Sequence, residues 1–326
     1  MAAMATAAES GHLADDPVLL TSGLTRSFGD RVAVDGVGFH VAPGETYGLL
    51  GPNGAGKTTT IRLICGLLRR DGGQVIIDGH DVESDAMAAK ALVGYVPQEV
   101  ALYPDLTAAE NLRFFGRLYP MSRGELAKRV DQVLELTDLT DRADEIVDTF
   151  SGGMKRRLNI GVGLLHQPRL LILDEPTVGV DPQSRHAILE SVDRFGGEGM
   201  AVLYTTHYME EAEQLCDRVG IIDRGKLIAE GTTRELVSIV AEQDQVRLEV
   251  AGDLAALAQA CERLDEVDTA SVIEGEVRLL LDEAAAALPA ILGQATALGA
   301  SVKSVRVVEP DLEAVFLHLT GSALRE

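Results

Sequence analysis

The chain has 326 residues, 46% of them apolar, with 29 basic against 51 acidic side chains and a net charge of −22. That length and apolar content fit two domains with sizeable cores. So acidic a surface argues against wrapping a nucleic-acid backbone or adhering to anionic lipid, and no run of about 18 apolar residues offers a membrane-spanning helix.

Residues 1–17 read as a disordered tail, Ala-rich and acidic, without the basic start and apolar stretch of a secretory signal. Val18–Phe28 and Val32–Val41 carry apolar residues at strand spacing, with Gly29-Asp30 turning a hairpin between them. Thr46–Leu50 reads as a short strand, and Thr59–Cys65, beyond a glycine-rich turn, as a helix. Gln74–Ile77 is a strand turned by Asp78-Gly79, and Val93–Val96 a strand stopped by Pro97. From Thr107 to about Thr137 the chain turns helical. Ser122-Arg123-Gly124-Glu125 is a capping box opening a helix with Leu126, Val130, Val133 and Leu134 on one face. This is a helical insertion within an α/β domain.

The α/β pattern resumes with Leu170–Leu173 and Ala201–Thr205, apolar runs suited to strands buried on both faces. Val219–Asp223 and Lys226–Ala229 form a hairpin around Arg224-Gly225, and Thr232-Thr233-Arg234-Glu235 opens a further helix. The polar stretch Glu242-Gln243-Asp244-Gln245 marks a boundary. Beyond it come a strand (Val246–Val250), a helix (Leu254–Leu264), two strands (Asp268–Ile273 and Val277–Leu281), a helix (Ala284–Leu298) and a strand (Val302–Val308). That βαββαβ order is compatible with a ferredoxin-like sandwich. Leu312, Val315, Phe316 and Leu319 then share one face of a last helix.

Three short segments carry chemistry. Gly51-Pro52-Asn53-Gly54-Ala55-Gly56-Lys57-Thr58 fits G-x-x-x-x-G-K-[ST] between a strand and a helix, the context that motif needs. Its glycines let backbone N–H groups close around phosphate oxygens, and the helix start adds partial positive charge. Lys57 is placed to reach β- and γ-phosphates, and the Thr58 hydroxyl to ligate Mg²⁺. The run Leu170-Leu171-Ile172-Leu173 ends in Asp174-Glu175. In a P-loop protein Asp174 holds Mg²⁺ and Glu175 polarises a water aimed at the γ-phosphate. Ser151-Gly152-Gly153-Met154 precedes a helix running to Gln167, and offers a hydroxyl and open backbone donors to an anion.

In this order the motifs resemble the nucleotide-binding subunit of ABC transporters, over roughly residues 18–240. Phe150-Ser151-Gly152-Gly153-Met154 resembles the family signature, departing at its first and last positions. Gln98 after Val96-Pro97 resembles the Q-loop glutamine, a Mg²⁺ ligand. Gly179-Val180-Asp181-Pro182 is similar to the D-loop, and His207 after Thr205-Thr206 to the switch histidine. Phe28 takes the place of the aromatic that stacks on adenine.

The resemblance implies a P-loop ABC-type α/β domain at 18–242, with a helical subdomain at about 99–165 and an antiparallel β edge subdomain. A small α+β accessory domain follows at 243–326. It implies ATP contacts from Phe28, Val34, Gly51, Pro52, Asn53, Gly54, Ala55, Gly56, Lys57, Thr58 and Thr59. It also implies Mg²⁺ ligands Thr58, Gln98 and Asp174, and catalytic Glu175 and His207. Two chains would close head to tail on two ATP molecules. Ser151, Gly152, Gly153, Met154 and Asp181 of one would contact the ATP held by the other. The end of the chain is similar to daunorubicin-resistance-type ATPases, which pair with separate ABC-2-type permeases. That implies export of a small molecule from the cytoplasmic face of the membrane, and no nucleic acid.

Two rivals fit less well. A soluble ABC ATPase acting on ribosome or DNA usually carries tandem domains or a coiled-coil insertion, and this chain has one motif set and no heptad run. A P-loop binding module without turnover is opposed by Glu175 and His207. Cys65, Cys216 and Cys261 show no metal spacing, as in a reduced cytosolic protein. His12, His40, His80, His166, His186 and His318 form no ligand spacing, and the acidic stretch Asp138–Asp148 reads as a solvated face, with docking on the permease as the alternative that the resemblance implies.

Overall fold

A computed structural model of the chain describes residues 16–197, 199–239, 244–273, 275–308 and 311–320. The expected tail up to residue 15, His12 within it, and Glu242 and Gln243 of the polar stretch lie outside the described residues. Contacts divide the chain into two compact units, the first ending at Thr233 and the second beginning at Arg234. That division falls ahead of the polar stretch at Glu242.

The first unit opens with β1 (Leu19–Phe28) and β2 (Arg31–Val41), antiparallel about the Gly29-Asp30 turn. Next come β3 (Thr46–Leu50), α1 (Lys57–Ile64), β4 (Gly72–Ile77), β5 (His80–Asp81), α2 (Ala86–Ala91) and β6 (Val93–Val96). The helical stretch is α3 (Ala108–Gly116), α4 (Arg123–Leu136) and α5 (Gly152–Leu164). Both α3 and α4 begin with complete capping boxes, Thr107 with Glu110 and Ser122 with Glu125. In each, the hydroxyl accepts from the third backbone N–H, and the glutamate accepts from the cap's own N–H, so two orphan donors are satisfied together. α4 buries Leu126, Val130, Val133 and Leu134, the face its spacing predicts. Then follow β7 (Leu170–Asp174), α6 (Pro182–Gly197), β8 (Ala201–Thr206), α7 (Met209–Leu215), β9 (Arg218–Asp223) and β10 (Lys226–Gly231), and α8 (Thr233–Val237) starts where the two units divide.

These strands make two sheets. One is antiparallel, in the order β2-β1-β4-β5; the other runs β10-β9-β3-β8-β7-β6. In the second, β9, β3, β8, β7 and β6 are parallel and only β10 is antiparallel. Every residue of β3, β7 and β8 is buried, as the unbroken apolar runs require. One core joins the two sheets. Phe39 of β2 stacks on Tyr47 of β3 with ring centroids 4.7 Å apart. Leu19, Val37 and Ile77 from the first sheet share a cluster with Leu49, Ile172 and Leu203 from the second. Each such side chain contributes about 1.5–3 kcal/mol of burial. Because β3, β7 and β8 are parallel, the segments that follow them emerge at one edge of the sheet. That edge is where open parallel sheets bind ligands.

The second unit contains β11 (Asp244–Ala251), α9 (Leu254–Cys261), β12 (Thr269–Ile273), β13 (Glu276–Leu281), α10 (Ala284–Ala297), β14 (Ser301–Val308) and α11 (Leu312–Thr320). Its sheet, β12-β13-β11-β14, is wholly antiparallel. Val246, Leu248, Val277 and Leu279 pack with Leu257, Cys261 and Ile291 as its own core. Among the described residues no helix is long and apolar enough to cross a membrane.

Candidate phosphate-binding and catalytic site

The loop between β3 and α1 needs glycine at two places for different reasons. At Gly51 a Cβ would lie 2.2 Å from the Ile222 carbonyl oxygen. At Gly56 the backbone sits at φ +114° and a Cβ would lie 2.7 Å from the Ala33 carbonyl. α1 starts at Lys57 without a side-chain cap, so its first-turn N–H groups remain available to an anion. The Lys57 ammonium donates to the carbonyls of Gly51 at 2.5 Å and Pro52 at 3.2 Å, and lies 3.0 Å from Glu175 Oε1. Burial pushes its pKa down, and the Glu175 charge works against that shift.

The end of β7 delivers the two carboxylates. Register pairs Asp174 with Thr205 of β8. The Thr205 hydroxyl donates to Asp174 Oδ1 at 3.0 Å and accepts the Glu175 N–H at 3.0 Å, so one hydroxyl orients both residues. Glu175 adopts φ +46°, a left-handed conformation that strains a residue with a side chain. Its carboxylate receives the Gln98 amide N–H at 3.4 Å, and His207 Nδ1 stands 3.4 Å from Oε1. Behind this turn the buried Glu211 accepts from the hydroxyls of Thr177 at 2.7 Å, Tyr204 at 2.9 Å and Thr206 at 2.8 Å. It thereby ties the segment after Glu175 to the strand end that carries His207.

Lys57, Gln98 and Glu175 open onto a cleft of about 490 Å³ that Phe28, Pro52, Asn53, Gly54, Gly56, Thr58 and Thr59 also line, while Asp174 and His207 lie outside its lining. Phe28 is 49% exposed, with the Arg26 guanidinium 5.0 Å from its ring centroid, so it presents a free aromatic face. Gly51 and Ala55 support the loop from beneath, Ala55 within the core. Val34, expected at the nucleotide, is instead fully buried in the core. Alternation along β2 turns its neighbour Ala33 toward the cleft, beside Arg31. Ser151, Gly152, Gly153, Met154 and Asp181 do not line this cleft. Ser151 caps α5, accepting the Met154 N–H at 3.2 Å, and Asp181 accepts the Ser184 N–H at 3.0 Å. Sequence reasoning missed Arg31, Ala33, Thr205 and Glu211. Only Arg31, a basic residue just after the Gly29-Asp30 turn, left a readable signal.

The donors beside Lys57 suit a hard cation. Thr58 Oγ1 lies 3.3 Å from Asp174 Oδ1. Burial raises the pKa of Asp174 against the lowering effect of the Thr205 and Thr58 hydroxyls. Among the described residues no cluster of three or more His, Cys, Asp or Glu could hold a metal by itself. Mg²⁺ matches that sparse oxygen set, since it takes one or two carboxylates and completes its shell with phosphate and water. Three of the other histidines have partners within the fold. His166 stacks on Tyr119 and bonds the Val93 carbonyl at 3.0 Å, while His80 and His186 pair with Asp85 and Glu190. The three cysteines are buried and free.

The ABC transporter family pattern matches residues 34–178. The linearmycin resistance ATP-binding protein LnrL of Bacillus subtilis is 46% identical over 311 residues, 95% of this chain and 100% of its own. The daunorubicin resistance ATP-binding protein DrrA3 of Streptomyces coeruleorubidus is 40% identical over 314 residues, covering 95% and 98%. Among solved structures, a dimeric post-hydrolysis state of the ATP-binding cassette MJ0796 bound to ADP and Pi superposes with a TM-score of 0.58. It is 25% identical and covers 66% of this chain and 98% of that one.

Proposed function

This chain belongs to the ABC transporter family, as the ATP-binding and ATP-hydrolysing subunit of an exporter, and from that premise we propose how its residues divide the work. Lys57 and the first turn of α1 hold the β- and γ-phosphates, and Phe28 stacks on the adenine. Thr58, Asp174 and Gln98 hold Mg²⁺, which supplies charge neutralisation at the phosphates. Glu175 accepts a proton from water as the water oxygen bonds to the γ-phosphorus. The bond from that phosphorus to the ADP oxygen breaks, and ADP and phosphate leave. His207, 3.4 Å from Glu175, helps to place that water. The observation that carries this reading is the convergence of Lys57, Glu175, Gln98 and His207 at the strand ends of one parallel sheet.

The working unit is a head-to-tail homodimer. Ser151, Gly152, Gly153, Met154 and Asp181 complete the partner's site, in keeping with their position away from their own cleft and with the dimeric relative. A separate integral-membrane permease of the ABC-2 type receives the motion and places this subunit at the cytoplasmic face. Linearmycin and daunorubicin resistance in the relatives' names support a drug, antibiotic or lipid-like cargo. The βαββαβ order and antiparallel sheet of the second unit support a ferredoxin-like accessory domain. The test is Mg²⁺-dependent ATPase activity of the purified chain, together with identification of the membrane protein that co-purifies with it. A chain that binds ATP without turnover, alone and with its permease, overturns the catalytic part.

A further inference from the structure

Arg156 lies in α5, five residues after Ser151, and is 3% exposed. Each of its nitrogens is engaged by backbone alone. Nε donates to the Pro176 carbonyl at 2.5 Å. Nη1 donates to Pro97 at 2.7 Å and Gln98 at 2.9 Å. Nη2 donates to Asp174 at 3.2 Å and Glu175 at 2.7 Å. A guanidinium has five N–H donors in one plane, and here they meet five carbonyls. The carbonyls belong to two separate segments. Pro97 and Gln98 follow the end of β6 and have left the sheet ladder. Asp174, Glu175 and Pro176 flank the strained conformation at Glu175, φ +46°. The fork therefore holds the backbone of Gln98 and of Glu175 in one frame, and their side chains meet at 3.4 Å on the cleft side.

We propose that Arg156 is a positioning residue for hydrolysis, which fixes Gln98 and Glu175 relative to each other through their carbonyls without touching the nucleotide. The inference rests on the reading of Glu175 as the base and Gln98 as a metal ligand. It does not follow from charge alone. The acceptors are neutral carbonyls, and a lysine ammonium, a single point with three donors, cannot span both segments as the planar fork does. Displacing catalytic groups by a fraction of their contact distance is enough to cost about 10² in rate.

The experiment is steady-state ATPase kinetics and nucleotide titration on full-length Arg156→Gln and Arg156→Lys, each checked for cooperative thermal unfolding. Lys keeps the charge and most of the stem and serves if the Gln variant does not fold. The expected result for both is kcat lowered by about 10²-fold, with KM and ATP affinity within about threefold of wild type. In a Glu175→Gln background the same substitutions should add less than about threefold, because they act through a residue already disabled. A folded variant with wild-type kcat overturns the proposal, as does full recovery by lysine. So does an equal loss in both backgrounds, which would mark a general structural role. Failure of the underlying reading is seen separately, as wild-type turnover in Glu175→Gln by itself.

Discussion

Lys57 and Glu175 face each other at 3.0 Å with only 4% and 7% of their side chains exposed. The cation that should bind phosphate and the anion that should activate water are thus held as a buried pair. Lys57 also bonds two carbonyls of its own loop, and Glu175 also meets Gln98 and His207. Neither group depends on the other alone for its placement. Each can therefore be removed with a separable effect on binding and on chemistry.

Lys57→Ala should abolish tight ATP binding, because it deletes the main positive charge on the β- and γ-phosphates. Breaking a buried ion pair costs about 3–5 kcal/mol in sealed interiors. The cleft opens to solvent and His207 remains near Glu175, so the stability loss should fall below that. Nucleotide titration on folded variant decides the matter. Near-normal affinity with near-normal turnover would remove the loop from phosphate binding.

Asp174→Asn gives a pH test. Burial raises the folded pKa of Asp174 above its unfolded value of about 3.9. Its ionised form is therefore disfavoured in the fold, and the penalty is complete above the folded pKa. It fades as pH falls through the folded pKa and vanishes below the unfolded one. Asn keeps an acceptor for Thr58 and Thr205 and carries no such penalty. In Mg²⁺-free buffer the variant should melt above wild type at neutral pH, with the gap closing toward acid, yet lose Mg²⁺-ATP turnover. A gap that widens toward acid contradicts the assigned shift.

The phosphate loop was legible because strand, glycine turn and helix start are consecutive, and its strand Thr46–Leu50 has the same limits in the fold as in the pattern. Asp174-Glu175 was legible because the apolar run Leu170–Leu173 stops at two carboxylates, which a strand buried on both faces admits at its end. Parity was not legible. β2 alternates irregularly at its start, and the sequence alone leaves open whether Ala33 or Val34 faces the cleft. Thr205 acts through cross-strand register, and Arg156 through carbonyls that carry no residue identity, so neither makes a side-chain pattern. The two-residue β5 and the six-residue α2, which buries only Ala89, are too short to show a period.

Ser151→Arg should leave the chain's own ATP binding largely intact and block closure on a partner. Its stability cost should be near that of a lost N-cap, about 1 kcal/mol. Mixed dimers give the sharper result. When one chain carries Ser151→Arg and the other Lys57→Ala, action in trans leaves one complete site, and activity returns although each homodimer is inactive. Action within one chain leaves no complete site. ATPase measurements on dual-tagged mixed dimers separate the two, and persistent inactivity would sink the head-to-tail arrangement.

Glu175→Gln separates binding from chemistry. The amide keeps the length of the side chain and can still contact Lys57 and Gln98, but it cannot take a proton from water. Loss of a positioned base costs about 10²–10⁴ in rate. ATP binding should survive, because Lys57, Thr58 and Asp174 are unchanged, and losing the Glu175 charge frees the Lys57 ammonium from a competing anion 3.0 Å away. Affinity should therefore equal or exceed that of wild type. On the proposed cycle, in which ATP closes the dimer and hydrolysis reopens it, the variant should collect as an ATP-bound dimer. Size-exclusion chromatography with Mg²⁺-ATP, run beside a turnover assay and a nucleotide titration, reads all three quantities. Wild-type turnover would remove Glu175 from catalysis. Weakened ATP binding would show that the pair with Lys57 supports the phosphate site instead of competing with it. A slow variant that binds ATP tightly and stays monomeric would leave the base in place and count against a dimer formed without the permease.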